Sequence, residues 1–174
     1  MEASSLRSKP SSKPMIELLF PGVNHLQNIH PLAVHFPIAF LVGSAFFYLL
    51  ALVIRKETFA NTALLLLIAG AVAAAATVGT GLYAEPGVMV SLSVRQQLLT
   101  AHKYCMIATL AVSAVLALWA TAARPFPRKN RAIFLLLFLF LLGLMAVGAD
   151  YGARMVYDYN AGGSACSQPI DFTK

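Results

Sequence analysis

A chain of 174 residues with 59% hydrophobic and only 11% charged residues cannot cover a water-soluble globule, because soluble domains carry about 25% charged residues. Its mean hydropathy of +0.72 is that of an integral membrane protein. The net charge of +6 comes from lysines and arginines that flank apolar runs, so topology and anionic lipid contact explain it and no nucleic-acid partner is called for.

Residues 1–14 are rich in Ser, Lys and Pro and are expected to be disordered. No apolar segment follows the basic residues directly, so this is not read as a signal peptide. Residues 15–20, ended by Pro21-Gly22, are too short to span and suit an interfacial turn of helix. Residues 1–27 are therefore a polar tail with a short interfacial segment. Residues 28–163 form the membrane domain and 164–174 an outer tail.

Four spans are predicted, at about 31–54, 62–84, 101–122 and 132–153. Each is near the roughly 20 apolar residues that cross a hydrocarbon core of about 30 Å. The runs are continuous and rich in Leu and Ala rather than alternating, which argues against barrel strands. Short connections favour one all-α, integral membrane four-helix bundle.

The first span opens with Asn28-Ile29-His30-Pro31-Leu32-Ala33-Val34-His35-Phe36-Pro37. His30-Pro31 reads as a helix start, since the N–H that proline lacks would be orphaned there anyway. Pro37 is either a kink in the second turn or the true first turn, with Phe36 extended. As a kink it frees the Ala33 carbonyl inside the membrane, and another group must satisfy it. His35 then sits about one turn into the membrane. The second span carries a stripe of small residues, Gly70, Ala74, Thr77 and Gly81. Such a stripe serves close helix packing or makes room for a flat cofactor.

The third span starts with His102, at a depth similar to that of His35. Spans one and three run in the same direction, so all four histidines (His25, His30, His35 and His102) fall at one membrane face. His35 and His102 are expected to face each other across the core. Cys105 lies one turn below His102, and a bridge to Cys166 would need an oxidising compartment. No Cys-x-x-Cys-His occurs, which excludes covalent c-type haem attachment, and no zinc-type spacing is present.

The fourth span ends in a polar cluster. Asp150 and Arg154 are four residues apart and are expected to pair. An ionisable residue in a span is a functional candidate, and the alternative is an interfacial Asp150. Tyr83, Tyr104, Tyr151 and Tyr157 suit an outer aromatic belt and Trp119 an inner one. Arg55, Lys56, Arg124, Arg128, Lys129 and Arg131 gather on one side, against Arg95, Lys103 and Arg154 on the other. The positive-inside rule places the Arg124 loop in the cytoplasm and both termini outside.

Ile29-His30-Pro31-Leu32-Ala33-Val34-His35-Phe36-Pro37-Ile38-Ala39 resembles the opening signature of a bacterial membrane family, domain of unknown function 2231. Thr80-Gly81-Leu82, His102 after Leu98-Leu99-Thr100-Ala101, and Gly152-Ala153-Arg154-Met155-Val156-Tyr157 are similar to further family motifs. The resemblance covers about residues 28–163. It departs at Asp158-Tyr159-Asn160, where relatives usually carry a histidine, and Tyr159 stands in that place. The family implies four helices, a bacterial inner (cytoplasmic) membrane, and a redox setting beside cytochrome-type domains.

Three functions are consistent with these residues. The first is a small b-type cytochrome, with haem b held between spans one and three near the outer face. His35 and His102 would ligate the haem iron, with His30 beside them. Arg154, Arg95 or Lys103 would meet the propionates, and Tyr159 or Tyr157 would hydrogen-bond a propionate or ligand. Electrons would pass between quinol and a cytochrome c-type partner. The second is a structural or assembly subunit whose histidines bond carbonyls freed by the prolines. The third is a transition-metal-binding membrane protein using His30, His35, His102 and Asp150. Hydrolytic chemistry has no Ser/His/Asp set, and there is no Gly-rich phosphate loop.

Overall fold

The prolines of the first span set its geometry. In a computed structural model of the chain, which describes residues 29–127 and 129–161, α1 (His30–Ala33) has Pro31 in its opening turn. After Val34, whose backbone stays right-handed helical, α2 (His35–Ile54) continues the same path. Pro37 offers no N–H to the carbonyl of Ala33. A different span supplies the missing donor, because Thr77 Oγ1 donates to Ala33 O at 3.1 Å. The freed carbonyl is therefore satisfied by a neighbouring helix, as the lack of water in a bilayer demands.

Arg55, in the left-handed region at φ 58°, and Lys56 turn the chain into α3 (Glu57–Ala84). The buried row of α3 is Ala60, Ala63, Leu67, Gly70, Ala74 and Thr77, which takes in Gly70, Ala74 and Thr77 of the small-residue stripe. Its role at Gly70 is packing, since a Cβ there would lie 2.6 Å from Leu41 Cδ2. Leu41 fills that notch and is fully buried. Ser44 Oγ donates to Ala63 O at 2.7 Å across the same interface.

The link between the second and third spans is more ordered than a short loop. A 3₁₀ turn (Glu85–Gly87), α4 (Leu92–Val94) and a π turn (Arg95–Leu99) lead into α5 (Thr100–Ala123). The Arg95 guanidinium folds back and donates to Val88 O at 2.8 Å. Val94, Leu98 and Leu99 pack with Met155 and Ala161 as a small apolar cluster. At the opposite end Arg124 (φ 35°) and Asn130 (φ 59°) shape the turn to α6 (Arg131–Tyr157). Phe126 tucks in against Tyr48, with ring centres 4.9 Å apart. Trp119 lies edge-on to Phe134 at 5.6 Å, so it packs within the bundle.

The long helices pack in the order α2, α3, α5, α6, and α6 returns to α2. They form an up-down-up-down, all-α bundle with no strand among the described residues. Four helical stretches are long and apolar enough to cross a membrane, and only 22–28% of each apolar window is buried. Most apolar side chains therefore point outward, which suits lipid as the solvent. The expected tail (1–27), its interfacial segment, His25, Arg128, Cys166 and the 164–174 tail lie outside the described residues.

Candidate functional site

The two hairpins present a histidine by the same device. His30, in the first turn of α1, places Nδ1 3.1 Å from the carbonyl of Thr77, 47 residues ahead on α3. Its ring rests where a Cβ on Gly81 would lie, 2.9 Å from Cε1. His102, in the first turn of α5, places Nδ1 2.7 Å from the carbonyl of Gly148, 46 residues ahead on α6. Its ring rests where a Cβ on Gly152 would lie, 3.1 Å from Cε1. In each case the glycine is four residues beyond the carbonyl, on the same helix face. The hairpins run in the same direction, so the two contacts match in sense as well as in kind.

The rings of the two histidines meet edge to face, with centres 6.3 Å apart. A carbonyl only accepts, so Nδ1 carries the proton in both rings, and in the neutral form Nε2 holds the lone pair. Thr80 Oγ1 stands 3.1 Å from His30 Nδ1 and donates to Thr77 O at 2.9 Å. Thr77 is the hub: its hydroxyl serves Ala33 and its carbonyl orients His30.

The sequence-derived residues divide around this pair. His30 and His102 are brought together. His35 is not brought to His102; it is exposed, with Nδ1 bonded to Leu32 O within its own span at 3.3 Å. Arg154 pairs with Asp158 at 3.7 Å rather than with Asp150, which is exposed. Both members of that ion pair are about half exposed, so it adds little stability. Tyr159 is exposed beyond the end of α6. Lys103, next to His102, is paired with Glu85 at 2.6 Å. Arg95 is committed to the carbonyls of Glu85 and Val88. Tyr83, Tyr104 and Tyr157 are strongly exposed at this end, and Tyr151 is half-buried. Cys105 is half-buried.

Thr77, Thr80, Gly148 and Gly152 gain their importance only here. The signal for them was the spacing, a histidine followed 46 or 47 residues later by a residue with glycine four positions on.

Fold and site together define a four-helix membrane protein with a carbonyl-oriented histidine pair at one end of the bundle. The family model for predicted membrane proteins of domain of unknown function 2231 matches residues 26–165, and the chain belongs to that family. No curated protein and no solved structure matches it.

Proposed function

We propose that the protein is a small electron-transfer subunit of the bacterial inner membrane that binds haem b between His30 and His102. The observation that carries this reading is the pair itself, with ring centres 6.3 Å apart and both Nδ1 atoms held by carbonyls. Histidines that ligate metal commonly donate their other ring N–H to just such a partner, which fixes tautomer and ring orientation. The ring centres, 6.3 Å apart, are close enough for both imidazoles to reach one bound group. Among the described residues no three His, Cys, Asp or Glu side chains converge. Two histidines alone would suit a cofactor that brings further ligands of its own better than a bare ion needing about four from protein.

His30 and His102 would hold the iron, replacing the expected pair of His35 and His102. Bound haem would supply a one-electron couple. The protein's part is to fix both imidazoles against Gly81 and Gly152 and to keep water from the bundle interior. Arg154, which pairs with Asp158, and Tyr159 are the groups expected to meet a propionate, and Lys103 is held beside His102 by Glu85. With the basic Arg124 turn in the cytoplasm, the histidine end and both termini lie outside. Quinol and an outer cytochrome c-type protein are the partners that fit this placement.

A second reading is favoured by one observation. Each ring already fills a glycine notch and donates to a carbonyl, so the pair can serve as a clasp in a structural subunit. Haem and metal analysis of the purified chain separates the two. The cytochrome reading expects one haem iron per chain; a preparation free of haem and metal supports the clasp.

A further inference from the structure

The opposite, basic end of the bundle carries a feature that the histidine pair does not use. Glu57, Asn61 and Leu64 at the start of α3, with Thr121, Arg124 and Pro125 at the end of α5, line a cleft of about 290 Å³. Glu57 and Arg124 are both exposed, and among the described residues the ion pairs are made by other groups. Opposite charges that share a cleft without closing on each other suit a ligand that carries both signs. The backbone of Arg124 is unusual, φ 35°, with its N–H bonded to Ala120 O at 2.9 Å. Thr121 donates its own proton to Ala117 O at 2.7 Å, so toward the cleft its oxygen can only accept.

The surroundings identify the kind of molecule. Leu65 stands one turn beyond Asn61 and Leu118 one turn before Thr121. They are 68% and 73% exposed, and Val72 and Val115 extend the two rows along the bundle at 67% and 57%. The helices that carry these rows, α3 and α5, pack on each other. A polar cleft with both charges at the end of two apolar rows has the layout of a lipid with a zwitterionic head.

We propose that this cleft binds the headgroup of an aminophospholipid. Arg124 and the Asn61 amide donate to the phosphate, Glu57 and Thr121 accept from the ammonium, and acyl chains lie along Leu65 and Leu118. An anionic lipid without the amine would set its phosphate near Glu57 with no cation of its own to meet that carboxylate. The inference is independent of the haem reading.

The test is native mass spectrometry of the delipidated full chain titrated with phosphatidylethanolamine, phosphatidylglycerol and free O-phosphoethanolamine. Phosphatidylethanolamine is expected to bind about tenfold more tightly than phosphatidylglycerol, the scale of one charge-assisted contact. Glu57→Gln should erase that preference, and Arg124→Gln should weaken both lipids. Arg124→Lys replaces the latter if Arg124→Gln does not fold, and should weaken both lipids less. Equal binding of the two lipids by the wild type, or a preference that survives Glu57→Gln, overturns the proposal. Free O-phosphoethanolamine binding as tightly as the lipid would overturn the lipid assignment and indicate a soluble ligand.

Discussion

The imidazoles of His30 and His102 stand edge to face with ring centres 6.3 Å apart, each anchored to a carbonyl of its own hairpin. Their relative position is therefore set by how the α2–α3 and α5–α6 hairpins dock. Neither ring is oriented by its own helix alone.

The glycines beneath the rings should be intolerant of a methyl group. Gly81→Ala sets a Cβ 2.9 Å from His30 Cε1, and Gly152→Ala one 3.1 Å from His102 Cε1. Each is expected to cost about 1–3 kcal/mol through overpacking. Gly79, where a Cβ meets nothing within 4 Å, is the control. Gly79→Ala should be neutral or stabilising by up to about 1 kcal/mol. Thermal melting in detergent, followed by circular dichroism, measures all three.

Thr77 and Pro37 should be energetically coupled. Thr77→Val leaves the Ala33 carbonyl without the donor now 3.1 Å away, at an expected cost of about 1–2 kcal/mol. Pro37→Ala restores a backbone N–H four residues after Ala33. In that background Thr77→Val should cost clearly less. Equal costs in the two backgrounds, in a double-mutant cycle, would show that the hydroxyl is not serving the freed carbonyl.

Ser44→Ala removes a fully buried hydrogen bond between α2 and α3, from Ser44 Oγ to Ala63 O at 2.7 Å. The expected loss is about 0.6–1.7 kcal/mol, the scale of interhelical bonds in membrane proteins. Thr62→Ala is the comparison. Its hydroxyl serves Thr58 O in the same helix at 3.0 Å, so it should change stability by less than about 0.5 kcal/mol. Both are read from the same melting curves.

Leu41 and Gly70 form a matched notch. Gly70→Ala drives a Cβ to within 2.6 Å of Leu41 Cδ2 and 3.4 Å of the Leu41 backbone nitrogen. The single variant should lose about 1–3 kcal/mol. Adding Leu41→Ala should relieve the side-chain clash, so that the double variant loses less than the two single losses added together.

The four spans were legible in the sequence because continuous apolar runs of helix length have one solution in lipid, with every backbone group bonded internally. The freed carbonyl at Ala33 followed from Pro37 in the same way. The partner of His102 was not legible. His30 and His35 are five residues apart, about 140° around a helix, so one faces inward and the other outward. Hydropathy cannot choose between them when lipid solvates the outside. Here Ser44 and Tyr48 are buried while Phe36, Phe46 and Leu49 are exposed, the reverse of a water-soluble pattern. The partner of Arg154 was equally open, because Asp150 and Asp158 each lie four residues away, and the ion pair forms with Asp158. The order in the 85–99 link rests on Arg95 reaching back to Val88 and Glu85, contacts that no local periodicity announces.

The most direct measurement of the central claim is the absorption spectrum of the purified protein, oxidised and then dithionite-reduced, for wild type and three histidine variants. The account predicts reduced b-type bands in wild type and in His35→Ala, whose ring lies exposed, and their loss in His30→Ala and in His102→Ala. A colourless wild type after haem supplementation during expression, or bands that survive in both His30→Ala and His102→Ala, would contradict it.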